Sequence, residues 1–283
     1  MKSFFPIALS KVTTYPLSQR KNKVSIADFA TPPKGNGVFT NFLDSLPNIL
    51  AGQDFRKLIE LMVSAYHKGK PVVAMMGGHV IKCGLSPVII SLIEKGIVNA
   101  IALNGAGSVH DFEIALIGET SEDVAENIQN GTFGMSEETG RLMNEAIKEA
   151  TEKCLVRLTP IPKVLSNEQK EGKATKSHHY GMGEGLGRKL LELNPPYLEY
   201  SLLAASVRHE IPLTVHVAIG TDIIHQHPAA DGAAIGQASF TDFRTFVSVV
   251  SELGDGGVLL NLGSAVLLPE VFLKALTVAR NLG

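Results

Sequence analysis

Residues 71–103 constrain the fold most. "PVVAMM" (71–76) and "VNAIAL" (98–103) are apolar runs of strand length. Between them Ser86 is placed to N-cap a helix with Pro87 at its first position, and that helix ends near Gly96. A strand, a helix and a strand joined by short links read as a right-handed crossover between parallel strands.

The pattern continues along the chain. "FRKLIELMVSAYHKG" (55–69) puts Leu58, Leu61, Met62, Ala65 and Tyr66 on one helical stripe. Helices are predicted over 121–131 and 136–155, with Thr120 and Asp123 at capping-box spacing. A further helix is expected over 195–210, a strand over 211–219, a helix over 242–254, a strand over 256–263 and a helix from Pro269 to the end. The fold expected is α/β: doubly wound, Rossmann-like, with a mostly parallel sheet and helices on both faces. No composition shift divides the 283 residues, so a single nucleotide-binding domain is expected. Residues 1–50 would be an N-terminal arm, and the polar stretch 157–183, with "KATKSHHYGMG", a long loop or linker.

With 45% hydrophobic and 19% charged residues the chain reads as a globular protein with a sizeable core. A net charge of −2 argues against a nucleic-acid partner, and the lysine-rich stretches "QRKNK" and "KEGKATK" read as solvated loops. No run reaches membrane-spanning length. Pro6 breaks the apolar patch at the start and no clear cleavage site follows, so a cytoplasmic protein is expected. Cys83 and Cys154 stand far apart and form no disulfide framework, which fits a reducing compartment; Cys83 reads as a buried inert thiol.

The chemistry gathers where strands end. Gly77-Gly78-His79 follows the first run, and Asn104-Gly105-Ala106-Gly107-Ser108 the second. Gly220-Thr221-Asp222 and Gly263-Ser264 follow the later two. In an open parallel sheet these carboxyl ends share one edge, where ligands bind. Glycine lets the backbone approach a ligand closely, and a helix N-terminus favours phosphate. Tight turns need glycine on other grounds too, and "GAGSVH" lacks the third glycine of the dinucleotide fingerprint. His110, Asp111 and Glu113 open the next helix. His110 could transfer protons or be a satisfied, partly buried histidine. Asp111 would point to the glycine-rich edge, toward an amine or a ribose hydroxyl, or complement the helix dipole. Glu113 fits a dipole or ion-pair role. His216, Asp222, His225 and His227 raise a minor metal-site reading, though the expectation is no metal.

"GGHVIKCGLSPVIISLIEKGIVNAIALNGAGSVHDFEIAL" (77–116) resembles the nucleotide-binding stretch of deoxyhypusine synthase. "EIPLTVHVAIGTD" and "GGVLLNLG" resemble later segments of that family. The resemblance implies bound NAD, a homotetramer, dehydrogenation of a polyamine to an imine, and transfer to a lysine. By position it implies NAD contacts at Gly77, Gly78, Ala106 and Gly107, an amine-holding role for Asp111, and a place near the cofactor for Asp222. His79, Asn104, Gly105, Gly263 and Ser264 join that cofactor set as members of the same turns, and Glu113 joins Asp111 on the substrate side. His110 is the candidate base. The family's nucleophilic lysine belongs beyond the strand matched by "GGVLLNLG"; that segment is missing here, and Lys274 lies in a helical context that does not match. "NGAGSVHDFEIALIGETS" is also similar to the NAD-binding domain of archaeal and cyanobacterial ornithine cyclodeaminases. Three functions follow as expectations: an NAD-dependent enzyme acting on a small amine, an ornithine cyclodeaminase-like enzyme, and a non-catalytic NAD-binding protein.

Overall fold

The computed structural model describes residues 39–152, 155–156, 177–178 and 180–283. By contact density the chain divides into two units, 1–60 and 61–283. In the first, helix α1 (Phe39–Ser45) is followed by the start of α2 (Leu50–His67). The Arg56 guanidinium caps the exit of α1 by donating to the carbonyls of Leu43 (2.7 Å) and Leu46 (2.6 Å).

The second unit holds the rest of α2 and everything after it. In chain order these are β1 (Val72–Met76), α3 (Gly78–Lys82), α4 (Ser86–Glu94), β2 (Ala100–Asn104), α5 (Gly105–Ile117), α6 (Val124–Asn130) and α7 (Glu137–Glu152). A two-residue antiparallel pair follows, β3 (Leu155–Val156) with β4 (Ser177–His178). Then come α8 (Met182–Leu193), α9 (Leu202–Arg208), β5 (Leu213–His216), α10 (Gly232–Ser251), β6 (Val258–Leu262) and α11 (Leu267–Asn281). The four long strands lie in the order β5-β2-β1-β6 and every pair is parallel. This is the doubly wound α/β arrangement the sequence predicts.

Parity in the strands sorts the core. Val72, Ala74 and Met76 of β1 and Ile101 and Leu103 of β2 face one side, with Ile93, Phe112, Ile147 and Leu190. Val73, Met75, Ala100 and Ala102 face the other, with Phe246 and Val250 of α10 and Ala275 of α11. Successive strand residues point to opposite faces, so helices on both sides demand apolar residues at every position. Among the described residues no helix is long and apolar enough to cross a membrane.

Several boundaries differ from the sequence reading. The strand over 211–219 stops at His216, because its partner ends at Asn104, paired with His216, and turns into α5. The helix over 242–254 begins ten residues earlier, since Asp231 accepts from the amides of Ala233 (2.9 Å) and Ala234 (3.1 Å). The helix over 195–210 is split: a short 3-10 turn, Leu198–Tyr200, precedes α9, and Ser201 caps α9 by accepting from the Ala204 amide. Asp123, not Thr120, caps α6, by accepting from the Glu126 amide. On α2 only Ala65 and Met62 of the predicted stripe meet the core; Leu58, Leu61 and Tyr66 are exposed. Cys83 is exposed rather than buried. Of the expected loop over 157–183, residues 157–176 and 179 lie outside the described residues, as do residues 1–38 of the arm and Cys154, while Met182 and Gly183 open α8.

Candidate functional site

All four strands point their carboxyl ends to one edge. The strand order reverses around β1, since the chain passes from β1 to β2 and β5 on one side and then to β6 on the other. The crevice at such a switch point is where open α/β sheets bind ligands. Here it lies between the turn after β1 and the turn after β6. The two turns touch: the Gly77 amide donates to the Leu262 carbonyl at 3.0 Å, and a Cβ at Gly77 would stand 2.4 Å from the Gly263 carbonyl oxygen. Ser264 is buried and its hydroxyl accepts from the Leu268 amide at 3.2 Å, inside the entry to α11. Asn104 likewise caps its own helix, accepting from the Gly107 amide at 2.8 Å. His79 is exposed in α3, and Ala106 is half-buried in the first turn of α5.

Two glycines sit beneath titratable groups. A Cβ at Gly78 would stand 2.8 Å from His110 Cδ2 and 3.4 Å from Nε2, so the imidazole lies flush against the β1 turn. A Cβ at Gly105 would stand 1.9 Å from Asp222 Oδ2, so that carboxylate covers the start of α5. The structure therefore brings Gly77, Gly78, His110, Gly105, Asp222 and Gly263 to one rim.

His110 is held from behind. Its Nδ1 lies 2.7 Å from Thr120 Oγ1, and the Thr120 hydroxyl donates to Glu113 Oε2 at 2.5 Å. A carboxylate only accepts, so the threonine proton points to Glu113 and its oxygen receives the proton on His110 Nδ1. Nε2 then presents a lone pair beside Gly78. Glu113 Oε1 accepts from Thr139 of α7 at 3.0 Å. Burial, then the charges of Lys82 and His79, lower the His110 pKa and keep the ring neutral near pH 7.

Glu113 and Asp111 take different places from those expected. α5 begins at Gly105, so neither lies in its first turn. Asp111 turns away from the rim and is fully buried. Its oxygens accept from the Ser201 hydroxyl (2.6 Å) and the amides of Leu202 (2.7 Å) and Leu203 (3.1 Å), bolting α5 to the start of α9. Burial raises its pKa to about 6 against those bonds. With every oxygen engaged inside the core, Asp111 has no face to offer an amine.

Asp222 and His225 form a second polar pair. Their side chains are 6% and 7% exposed, and His225 Nε2 lies 3.9 Å from Asp222 Oδ2. The Gly220 amide donates to His225 Nδ1 at 3.1 Å, so the neutral ring carries its proton on Nε2. Among the described residues, neither His225 Nε2 nor Asp222 Oδ2 has a hydrogen-bond partner. Burial raises Asp222 to about 6, partly relieved by Thr221, and lowers His225. The pair borders a cavity of about 180 Å³ with Phe133, Thr221 and Gln226.

The remaining histidines stay apart. His216 is buried, with Nε2 3.0 Å from Thr214 Oγ1 and its ring edge-on to Phe246 at 5.3 Å; burial lowers its pKa to about 4. His227 pairs with Glu137 at 3.3 Å. Among the described residues no three His, Cys, Asp or Glu side chains are placed to hold a metal ion.

The sequence pattern assigns Thr120 a capping role instead of its place in the His110 support, and passes over Thr139, which completes that support, and Asp242. The Asp242 carboxylate is buried and accepts from Gly183 (2.9 Å) and Val215 (2.7 Å), joining α8 to β5 beneath the site. Thr120 lies ten residues after His110, beyond the end of α5, and no local spacing rule links them.

Fold and site together define an α/β protein of the doubly wound class with polar side chains gathered at the carboxyl edge of its sheet. No protein-family model matches the sequence, and no curated protein does. Similar solved structures include an apo arginine dihydrolase from the ornithine–ammonia cycle of cyanobacteria, 17% identical with a TM-score of 0.43, covering 79% of this chain and 25% of that one. A conserved Methanococcus maripaludis S2 protein provisionally described as LOR/SDH is 12% identical with a TM-score of 0.40, covering 89% and 58%. An Entamoeba histolytica protein provisionally described as a deoxyhypusine synthase is 10% identical with a TM-score of 0.43, covering 86% and 95%. The chain thus spans about a quarter of the dihydrolase's length.

Proposed function

We propose that this chain is an NAD-dependent enzyme that dehydrogenates a small amine at the carbon beside nitrogen, giving an imine. The observation that carries this reading is His110: a neutral imidazole, fixed by Thr120, with an Nε2 lone pair at the ligand-binding edge of a doubly wound sheet. NAD, when bound, supplies the hydride acceptor. The turns at Gly77–Gly78, Asn104–Gly107 and Gly263–Ser264 would hold it across the β1/β6 crevice. The chain's own work is to hold the amine and remove its proton. Asp222 Oδ2, buried and without a hydrogen-bond partner among the described residues, takes the anchoring role that Asp111 cannot, receiving an N–H of the substrate. His110 Nε2 then accepts the nitrogen-bound proton as the hydride leaves carbon.

The test incubates the protein with NAD and, in turn, spermidine and ornithine, following the absorbance of reduced cofactor, with calorimetry for NAD binding. Turnover lost in His110→Gln and raised KM in Asp222→Asn support the reading. Release of ammonia from ornithine with formation of a cyclic product would assign the cyclodeaminase-like chemistry instead. NAD binding without turnover of either amine would leave a non-catalytic NAD-binding protein, and absence of NAD binding would overturn the proposal.

A further inference from the structure

Three side chains line up behind the proposed base: His110 Nδ1, Thr120 Oγ1 (2.7 Å) and Glu113 Oε2 (2.5 Å). The line is continuous and every contact is within hydrogen-bond reach. It runs from the rim into the helical layer, where Thr139 Oγ1 meets Glu113 Oε1 at 3.0 Å and Ser136 Oγ lies 3.1 Å from Thr139 Oγ1. His110 and Glu113 are three apart on α5 and share one of its sides, while Thr120 arrives from beyond the helix to bridge them.

We infer that Thr120 and Glu113 form a proton relay that takes the Nδ1 proton of His110 as it acts as base, a role that rests on the function proposed above. As the substrate's N–H proton arrives at Nε2, the proton on Nδ1 passes to Thr120 Oγ1, and the Thr120 hydroxyl proton passes to Glu113 Oε2. One N–H bond forms and one breaks on the imidazole. One O–H bond breaks and one forms on the threonine. The carboxylate becomes a carboxylic acid, and nothing is oxidised or reduced. The ring ends neutral in its other tautomer, and the positive charge never rests on it. That matters here, because burial, and after it Lys82 and His79, already act against an imidazolium at this position. Thr120 and Glu113 are positioning residues: they reach the substrate only through His110. A bridging hydroxyl is required for the transfer, whereas mere packing of α5 against α7 needs only a side chain of similar shape.

The experiment reads the ring, so it needs neither cofactor nor amine. Nitrogen–proton correlation spectra of ¹⁵N-histidine-labelled protein should show His110 in the Nδ1–H tautomer at neutral pH. Thr120→Val, equal in shape but without the hydroxyl, should leave a mixture or the Nε2–H form, and Thr120→Ser should restore the native pattern. On an active amine, Thr120→Val should lower kcat by about tenfold or more with KM little changed, a part of the roughly hundredfold or more that positioned proton transfer contributes. A native His110 in the Nε2–H tautomer, or a Thr120→Val protein with the ring and kcat unaltered, would overturn the relay. Correct tautomers with no turnover of any amine would instead count against the proposed function.

Discussion

The Asp222 carboxylate rests on Gly105 so closely that a Cβ at that position would stand 1.9 Å from Oδ2. This contact joins the segment after β5 to the first residue of α5, and it explains a glycine that the sequence alone suggests is kept for a ligand. Gly105→Ala should push the carboxylate off the helix. Overpacking of this kind destabilises by about 1–3 kcal/mol. The expected outcome is a lower urea midpoint together with raised KM for the amine, measured on the folded fraction. An unchanged KM would remove Asp222 from the substrate site.

Asp111→Ala should act on stability and leave binding alone. It strips the acceptor from two backbone amides and the Ser201 hydroxyl in the core. Each buried donor left unsatisfied costs about 1–3 kcal/mol. Denaturant unfolding should show the loss, while NAD affinity of the remaining native protein stays at the wild-type value. Selective loss of amine binding in a fully stable protein would restore the role first expected of this residue.

Asp242 makes stability depend on pH. Burial raises its pKa to about 8, against the pull of the Val215, Gly183 and Met182 amides and with a push from Glu184. The unfolded carboxyl titrates near 3.8. Between those values the native state binds more protons than the unfolded state, so its contribution is full below the lower value and fades as pH rises through the upper. The urea midpoint should therefore fall between about pH 6 and about pH 8, and Asp242→Asn should flatten that slope. A midpoint that climbs over this interval would contradict the assignment.

His216 should behave in the opposite sense. With its pKa lowered to about 4, the native ring is neutral where an exposed histidine begins to charge at 6.5. Its contribution is present above the unfolded value and is lost as pH falls toward the native one. Proton NMR should show ring signals for His216 that do not move between about pH 5.5 and about pH 8. Titration near 6.5 would mean that water reaches the ring.

The sheet was legible because its strands are covered on both faces and so read as unbroken apolar runs, as Val72 to Met76 do. The ends were less so. β5 stops where β2 stops, which is a property of the partner and not of "IPLTVHVAI" itself. α10 was read short because Gly232 and Gly236 look like loop residues until Asp231 is seen to cap the helix by accepting from the Ala233 and Ala234 amides. Within the candidate site, Asp111 was misplaced for a geometric reason. Adjacent helical residues point about 100° apart, so His110 and Asp111 cannot both face the rim. The i, i+3 spacing of His110 and Glu113 does put them on one side. Ser201 and Thr120 meet these residues only through the fold, and no local pattern announces them.

Strand β1, one of the two inner strands, has one neighbour that follows it closely in the chain and one that comes much later, since Val73 pairs with Ala100 on one side and Leu259 on the other. As the polypeptide leaves the ribosome, β1 can zip to β2 at once but must wait for β6 with half of its backbone groups unmatched. Long-separation pairing of this sort is slow and leaves a sticky ladder exposed in the meantime. Loss of the β6–α11 segment would thus turn Val72–Met76 from the best-sheltered strand into an open edge, and the truncated chain should aggregate rather than fold to a smaller sheet.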